Sequence, residues 1–237
     1  MVILRMHRSL GDEVAFTGFG REWLRAYPNE PLWLDISRPE LLEGNHKLQK
    51  HRGRTIACVD SPCDEAGNFI RGWGHVHGIP IVDDAPWLWF VEDRKRQRRV
   101  VIDPWSGNPE RRWPLDRWRA LVAWLNERIE TWEVGKSTAD CHGSRRPPDR
   151  IGANVDLVDS TTIKQVANLI KASTLFIGND SGLAHIAAGV GTPAVVLYGP
   201  NHWRSRAYSS TIPIQGDGRV ERIGLDEVRR VVEGALG

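Results

Sequence analysis

The 237-residue chain lacks any apolar run near the roughly 20 residues that a membrane-spanning helix needs. It also lacks the pattern of a secretory leader: the opening MVILRMHRSLGD has too short an apolar part, and Asp12 follows at once. Cysteine is scarce. Cys58, Cys63 and Cys141 are odd in number and show no paired CxxC spacing, which argues against a disulfide framework. An excess of one charge is missing too: 32 basic against 30 acidic residues leave +2, which says little about partners, and no nucleic acid is expected. These absences leave a soluble, cytoplasmic globular protein as the expectation. With 41% hydrophobic residues, the chain can bury one large core or two small ones.

What is present is strand and helix in alternation. The sequence predicts strands at 1–7, 31–37 and 55–62, a helix over 13–27 that buries Phe16, Phe19, Trp23 and Leu24, and one or two further strands in HGIPIVDDAPWLWFVED. The basic run RKRQRR, 94–99, reads as a solvated linker, with a polyanion-binding patch as the sharper alternative. It divides the chain into segments 1–95 and 96–237. In the second, VVIDPW is a strand, and Pro114 opens a helix with Trp118, Leu121, Val122 and Leu125 at i, i+3, i+4 and i+7. ERIETWEV reads as a short strand and GKSTADCHGSRRPPDRIGANV as a polar loop. STTIKQVANLIKAS is a helix capped by Ser160 or Thr161, and strand LFIG, helix LAHIAAGV, strand AVVLYG and helix LDEVRRVVEGAL follow. The fold class expected is α/β, with parallel sheets covered on both faces and ligands outside the carboxyl ends of the strands.

The densest stretch is FIGNDSGLAHIAAGVGTPAVVLYGP, residues 176–200. Asn179, Asp180, Ser181 and Gly182 stand where a strand ends and a helix begins, and a helix amino terminus favours an anion such as a diphosphate. Gly182 lets the backbone approach closely, and the Ser181 hydroxyl can donate. Asp180 is the anomaly, because a carboxylate repels a phosphate; it suits sugar hydroxyls or the loop backbone better. The plain alternative is a turn in which Asp180 or Ser181 caps the helix.

These residues carry a resemblance. The stretch 176–200 resembles the donor-site signature of glycosyltransferase family 9, the ADP-heptose:lipopolysaccharide heptosyltransferases. VVIDPWSGNPERRWPLDRW and LRMHRSLGDEV resemble two further segments of that family in the same order. The resemblance implies a GT-B fold of two Rossmann-like domains facing across a cleft: an acceptor-side domain over 1–95, reduced against the family's usual size, and a donor domain over 96–237. It implies an inverting, metal-independent transfer of heptose or a related sugar from a nucleotide sugar, ADP-heptose above all, with no other cofactor. The acceptor implied is a saccharide or glycolipid, with contact at a membrane surface left open.

By the same resemblance Asp12 is the catalytic base. Arg111 or Arg112 pairs with the diphosphate, Ser106 and Gly107 share its loop, and Asn179, Asp180, Ser181, Gly182 and Leu183 hold the donor. Each has a plainer counterpart. Ser9-Leu10-Gly11-Asp12 also fits a capping box, and His185, one turn into the signature helix, either donates to a phosphate or fills a packing contact. The family's ribose-holding glutamate has no counterpart in Val134-Gly135-Lys136-Ser137, so either Glu133 is shifted or the ribose is held otherwise. Cys63, His75 and His77 do not make a metal set at motif spacing. Trp113 and Trp118 read as packing residues, while Trp87, Trp89 and Trp203 are candidates for the cleft. Two other readings stand beside the transferase: a nucleotide-sugar epimerase or hydrolase on the same scaffold, and a non-catalytic nucleotide-sugar binder.

Overall fold

The computed structural model describes residues 2–6, 8–30, 32–43, 48–50, 57–58, 68–136 and 150–237. Two parallel sheets organise them. The first contains β1 (Val2–Met6), β2 (Leu32–Ile36), β3 (Leu48–Lys50) and β4 (Ala57–Cys58) in the order β3-β2-β1-β4. The second contains β5 (Gln97–Asp103), β6 (Glu130–Glu133), β7 (Val155–Asp156), β8 (Ser173–Asn179), β9 (Ala194–Tyr198) and β10 (Thr211–Gln215). Its order, β10-β9-β8-β5-β6-β7, is the Rossmann order read from one edge. The strand order therefore reverses between β5 and β8, whose carboxyl ends are where a doubly wound sheet opens a crevice. β5, β8 and β9 are almost wholly buried, which is why they read as continuous apolar runs rather than alternating ones. The basic run contributes its second half to β5, which already begins at Gln97. Pro213 sits in β10, an edge strand, where a missing N–H need not break the ladder.

Helix α1 (Leu10–Ala26) starts three residues earlier than its apolar period predicts, because Ser9 and Asp12 close a capping box around its first turn. α2 (Phe69–His77) was not foreseen in FIRGWGHVH, since Gly72 and Gly74 lower its helix propensity. Gly74 is needed for space: a Cβ there would lie 2.4 Å from the Ile81 side chain. α3 (Leu115–Asn126) buries Trp118, Leu121, Val122 and Leu125 as the spacing requires. α4 (Ile163–Lys171) is capped by Thr162, not by Ser160 or Thr161, because Gln165 completes its capping box three residues on. α5 (Gly182–Gly189) follows β8, and α6 (Leu225–Leu236) closes the chain by packing beside α3.

Residues 79–94 contain no strand among the described residues; they run as a strap across α1. The strap's polar backbone is taken up by α1 side chains, leaving no row of groups for a ladder. Arg21 donates to Asp83 O and Ala85 O, Glu22 accepts from Val82 N–H, and Thr17 Oγ1 accepts from Trp87 N–H. Gly18 lets the strap lie close, since a Cβ there would sit 2.5 Å from Ala85 O. The strap then brings Pro86 and Leu88 against Gly189 of α5. One buried cluster accordingly runs through both sheets, joining Leu4, Phe16 and Trp73 to Phe176, Ile186 and Tyr198.

Candidate active site

A cavity of about 720 Å³ opens at the carboxyl ends of both sheets. Three helix amino termini border it, those of α1, α4 and α5. Such ends carry backbone N–H groups without intrahelical partners, and their dipoles favour negative charge. Arg8 and Arg38 line the cavity from the first half, and Arg111, Arg112, Lys136 and Arg206 from the second. A site of this shape and sign suits an anionic ligand of nucleotide size.

Asp12 lines the cavity while also capping α1: its Oδ2 accepts the Ser9 hydroxyl at 2.9 Å and the Ser9 N–H at 3.2 Å. The capping and cavity-facing readings thus coexist in one carboxylate. Ser106, Gly107, Arg111, Arg112, Asp180, Ser181, Gly182, Leu183 and His185 line the same cavity.

Asn179 does not line it. Its buried side chain donates to Pro104 O at 2.7 Å and accepts from Trp113 N–H at 3.1 Å, tying the end of β8 to the β5 loop and to the turn before α3. It braces the site, and this corrects its expected place among the donor contacts: the side chain is buried against two backbone groups and does not line the cavity.

Asp180, whose carboxylate is anomalous beside a phosphate, has its charge answered locally. Arg111 Nη1 stands 3.3 Å from its Oδ2, and Asn201 donates to the same oxygen at 2.7 Å. Ser106 Oγ donates to the Asp180 backbone carbonyl. Arg112 turns its Nε to Ser106 O at 2.8 Å, which fixes the loop that carries Gly107. The Nε atoms of Arg111 and Arg206 are buried with no hydrogen-bond partner among the described residues.

His185 is both a packing residue and a cavity wall. Its Nδ1 shares a 2.6 Å hydrogen bond with the Tyr208 hydroxyl, and its ring lies so near Gly11 that a Cβ there would come within 2.6 Å of Cδ2. Burial pushes its pKa from 6.5 down to about 4; Asp180 and Asp12 oppose the shift, and the charges of Arg206 and Arg111 assist it. The imidazole is therefore neutral near pH 7. Between pH 6.5 and 4 the unfolded chain takes up a proton that the folded one refuses, so His185's share of stability is complete above 6.5 and falls as pH falls. The loss reaches roughly 3 kcal/mol by pH 4. Thermal melts over this interval should show a shallower decline for His185→Gln than for the parent; equal slopes would remove His185 as the cause.

Three residues enter that the sequence reading did not single out. Asp103 ends β5 and accepts the Ser181 hydroxyl at 2.7 Å and Trp105 N–H at 3.2 Å. Trp105 is the tryptophan that lines the cavity. Arg206 lies 4.3 Å above the Phe69 ring, with its charge toward the seam between the halves. The strand-end rule points to Asp103 and Trp105 in VVIDPW. Nothing local in SRAY marks Arg206.

Glu133 is buried and spent on Trp105 Nε1 and Ile151 N–H, away from the cavity, where Gly135 and Lys136 stand instead. Trp87, Trp89 and Trp203 do not reach the cavity either. Trp87 and Trp89 pack edge to face within the strap, and Trp203 stacks on His202. Trp113 and Trp118 form a buried perpendicular pair, as packing residues should. Cys63 lies outside the described residues; of its two imagined partners, His77 packs on Phe19 and both histidines belong to α2.

A family model described as glycosyltransferase family 9 (heptosyltransferase) matches residues 83–219, more than half of the chain. The chain belongs to glycosyltransferase family 9. Within this family 9 chain, 46 residues are 46% identical to lipooligosaccharide heptosyltransferase 2 of Haemophilus influenzae, covering 19% of the chain and 13% of that relative. A further comparison aligns 77 residues at 36% identity with lipopolysaccharide heptosyltransferase 2 of Salmonella typhimurium, 32% of the chain and 21% of that relative. The matched stretches thus span well under half of the curated relatives' own length. The solved structure of Escherichia coli ADP-heptose lps heptosyltransferase II superposes with a TM-score of 0.73 at 16% identity, covering 100% of this chain and 98% of that one. The family 9 chain has that GT-B fold, with two parallel-sheet halves meeting at the cavity. None of its helices, among the described residues, is long and apolar enough to cross a membrane.

Proposed function

We propose that the chain is an inverting, metal-independent glycosyltransferase that moves heptose or a related sugar from an ADP-linked donor to a hydroxyl of a saccharide or glycolipid acceptor. One observation carries the reading: the Asp12 carboxylate and the amino terminus of α5 border one cavity from opposite halves of the fold. The similarity in fold to Escherichia coli ADP-heptose lps heptosyltransferase II supports the choice of donor.

In this reading the donor diphosphate lies against the first turn of α5, with Arg112 and Arg206 beside it and Arg111 held by Asp180 at its edge. Asp180 and Asn201 accept and donate hydrogen bonds at the donor sugar. The acceptor hydroxyl attacks the anomeric carbon from the first half, its proton passes to an Asp12 oxygen, and the bond to the distal phosphate oxygen breaks with its electron pair leaving on the diphosphate. One displacement inverts the anomeric centre. The charge that gathers on the departing diphosphate meets fixed N–H groups and guanidinium groups, which need not reorganise as the bond breaks.

The test has two arms. Incubation with ADP-heptose and a saccharide acceptor should give a coupled product of inverted configuration, and omission of the acceptor should leave the donor intact. Free ADP or an isomerised sugar released without acceptor would overturn transfer in favour of hydrolysis or epimerisation. In parallel, replacing Arg111 and Arg112 together by alanine should weaken ADP binding in calorimetry by about 10-fold or more, the scale of losing charge-assisted hydrogen bonds. Unchanged affinity would remove the arginine pair from the donor site.

A further inference from the structure

The amino terminus of α5 is open because its own cap is held elsewhere. Ser181 occupies the N-cap position with extended backbone angles, φ −138° and ψ 171°, the geometry from which serine ordinarily accepts a bond from the second or third helical N–H. It makes no such bond among the described residues. Its hydroxyl donates instead to Asp103 Oδ2 at 2.7 Å, across the reversal point from β8 to β5. Asp103 is itself fixed by Trp105 N–H on its other oxygen, and it is 3% exposed. The two other helices bordering the cavity contrast with α5: α1 and α4 both carry complete capping boxes, from Ser9 with Asp12 and from Thr162 with Gln165. Of these three helix ends, the one without a side-chain cap has its capping residue tethered to a carboxylate on a neighbouring strand.

We infer that Asp103 is a positioning residue: by drawing the Ser181 hydroxyl away from α5 it keeps the first-turn N–H groups unengaged, so that a nucleoside diphosphate need not displace an internal cap. The inference rests on the donor site proposed above and adds to it a residue that acts through Ser181. The charge of Asp103 by itself works the other way. A carboxylate bordering an anion site repels the ligand, so its removal alone favours binding, and the tether must be separated from the charge.

Two substitutions make that separation. Asp103→Asn and Asp103→Ala both remove the charge, but the asparagine carbonyl can still accept the Ser181 hydroxyl, whereas alanine releases it to cap α5. Calorimetric titration with ADP should show Asp103→Ala binding about 3- to 10-fold more weakly than Asp103→Asn, the range expected if an N-cap bond must be broken on binding. The same pair made on a Ser181→Ala background should bind alike, because no hydroxyl remains to compete. Melting temperatures of all four proteins confirm that each is folded. Equal affinities of the two single variants overturn the inference, as does a difference that survives in the Ser181→Ala background, which would make Asp103 a brace of the loop rather than a holder of Ser181. If the parent itself does not bind ADP, the donor-site reading fails and the inference falls with it; if the parent binds and the four-way pattern is absent, only the inference fails.

Discussion

Asp12→Asn should lower sugar transfer by about 10²- to 10⁴-fold, the usual cost of losing a general base, while ADP affinity in calorimetry stays nearly that of the parent. Asparagine is almost isosteric and keeps a carbonyl for the Ser9 hydroxyl, so the capping geometry at the start of α1 largely survives. What disappears is the carboxylate that can take a proton as the acceptor attacks. The dual placement of Asp12 makes the control simple. A residue that only capped α1 would leave turnover intact, because asparagine keeps the cap. Parent-like transfer by folded Asp12→Asn would therefore return this residue to capping alone. Asp180→Ala should behave differently and impair both turnover and donor binding, because its removal strands Arg111 and Asn201 at the mouth of the donor site.

The largest effect on stability is expected far from the cavity, at Glu22. Its carboxylate is fully buried in α1, where it accepts from Arg21 at 2.8 Å, Arg25 at 2.6 Å and Val82 N–H at 3.0 Å. Burial alone would raise its pKa, but the bonds from Arg21, Val82 N–H and Arg25 outweigh burial and hold it below 4.5. Glu22→Ala leaves the Nε of Arg21 and the strap's Val82 N–H without their acceptor, while the Arg21 Nη atoms keep Asp83 and Ala85. Breaking such a buried pair costs about 3 kcal/mol, which for a chain of this length lowers the melting temperature by roughly 6–12 °C. Glu22→Gln, which still accepts from Val82 N–H, should lose less. The contribution of the carboxylate is complete above the unfolded value near 4.5 and drains away as pH falls through the lower folded one. A parent-like melting temperature for Glu22→Ala would show that the strap is held by its apolar side chains alone. Once folded, the variant should turn over normally, since Glu22 lies outside the cavity.

The second sheet was legible because β5, β8 and β9 carry continuous apolar runs, VVI, LFI and AVVLY, and the helices α3 and α4 keep a clear 3.6-residue period. The first half was harder to read. FIRGWGHVH looks like a loop until Gly74 is seen to make room for Ile81, a tertiary demand that no local pattern announces. IPIVDDAPWLWFV has the composition of strands, yet α1 supplies Thr17, Arg21 and Glu22 to satisfy its backbone, so it needs no neighbouring strand. At the site, the signature around Asp180 and the resemblance that singled out Arg111 and Arg112 both pointed to residues that line the cavity. Asn179 went astray for a physical reason: in sequence it is indistinguishable from its neighbours, but it belongs to the strand and points inward, whereas Asp180 and Ser181 belong to the turn. Arg206 was invisible because its role arises from Phe69 and His185, distant in sequence and brought together by folding.

The buried cluster shared by the two sheets governs how this molecule comes apart. Gly11 sits under the His185 ring, Asn68 donates to Ala207 O across the seam, and the strap presses Pro86 and Leu88 on Gly189. A pair of jaws joined by a loose hinge would melt in two steps, each half at its own temperature. Here the first half's interior is the shared cluster itself, whereas the second half also buries a cluster of its own from Val100 to Val232, so heat that opens the seam should unfold the first half with it. With the donor at α5 as proposed, its binding energy would also hold β1 in place, and the melting of the first half would become a thermometer for occupancy of a site built largely by the second.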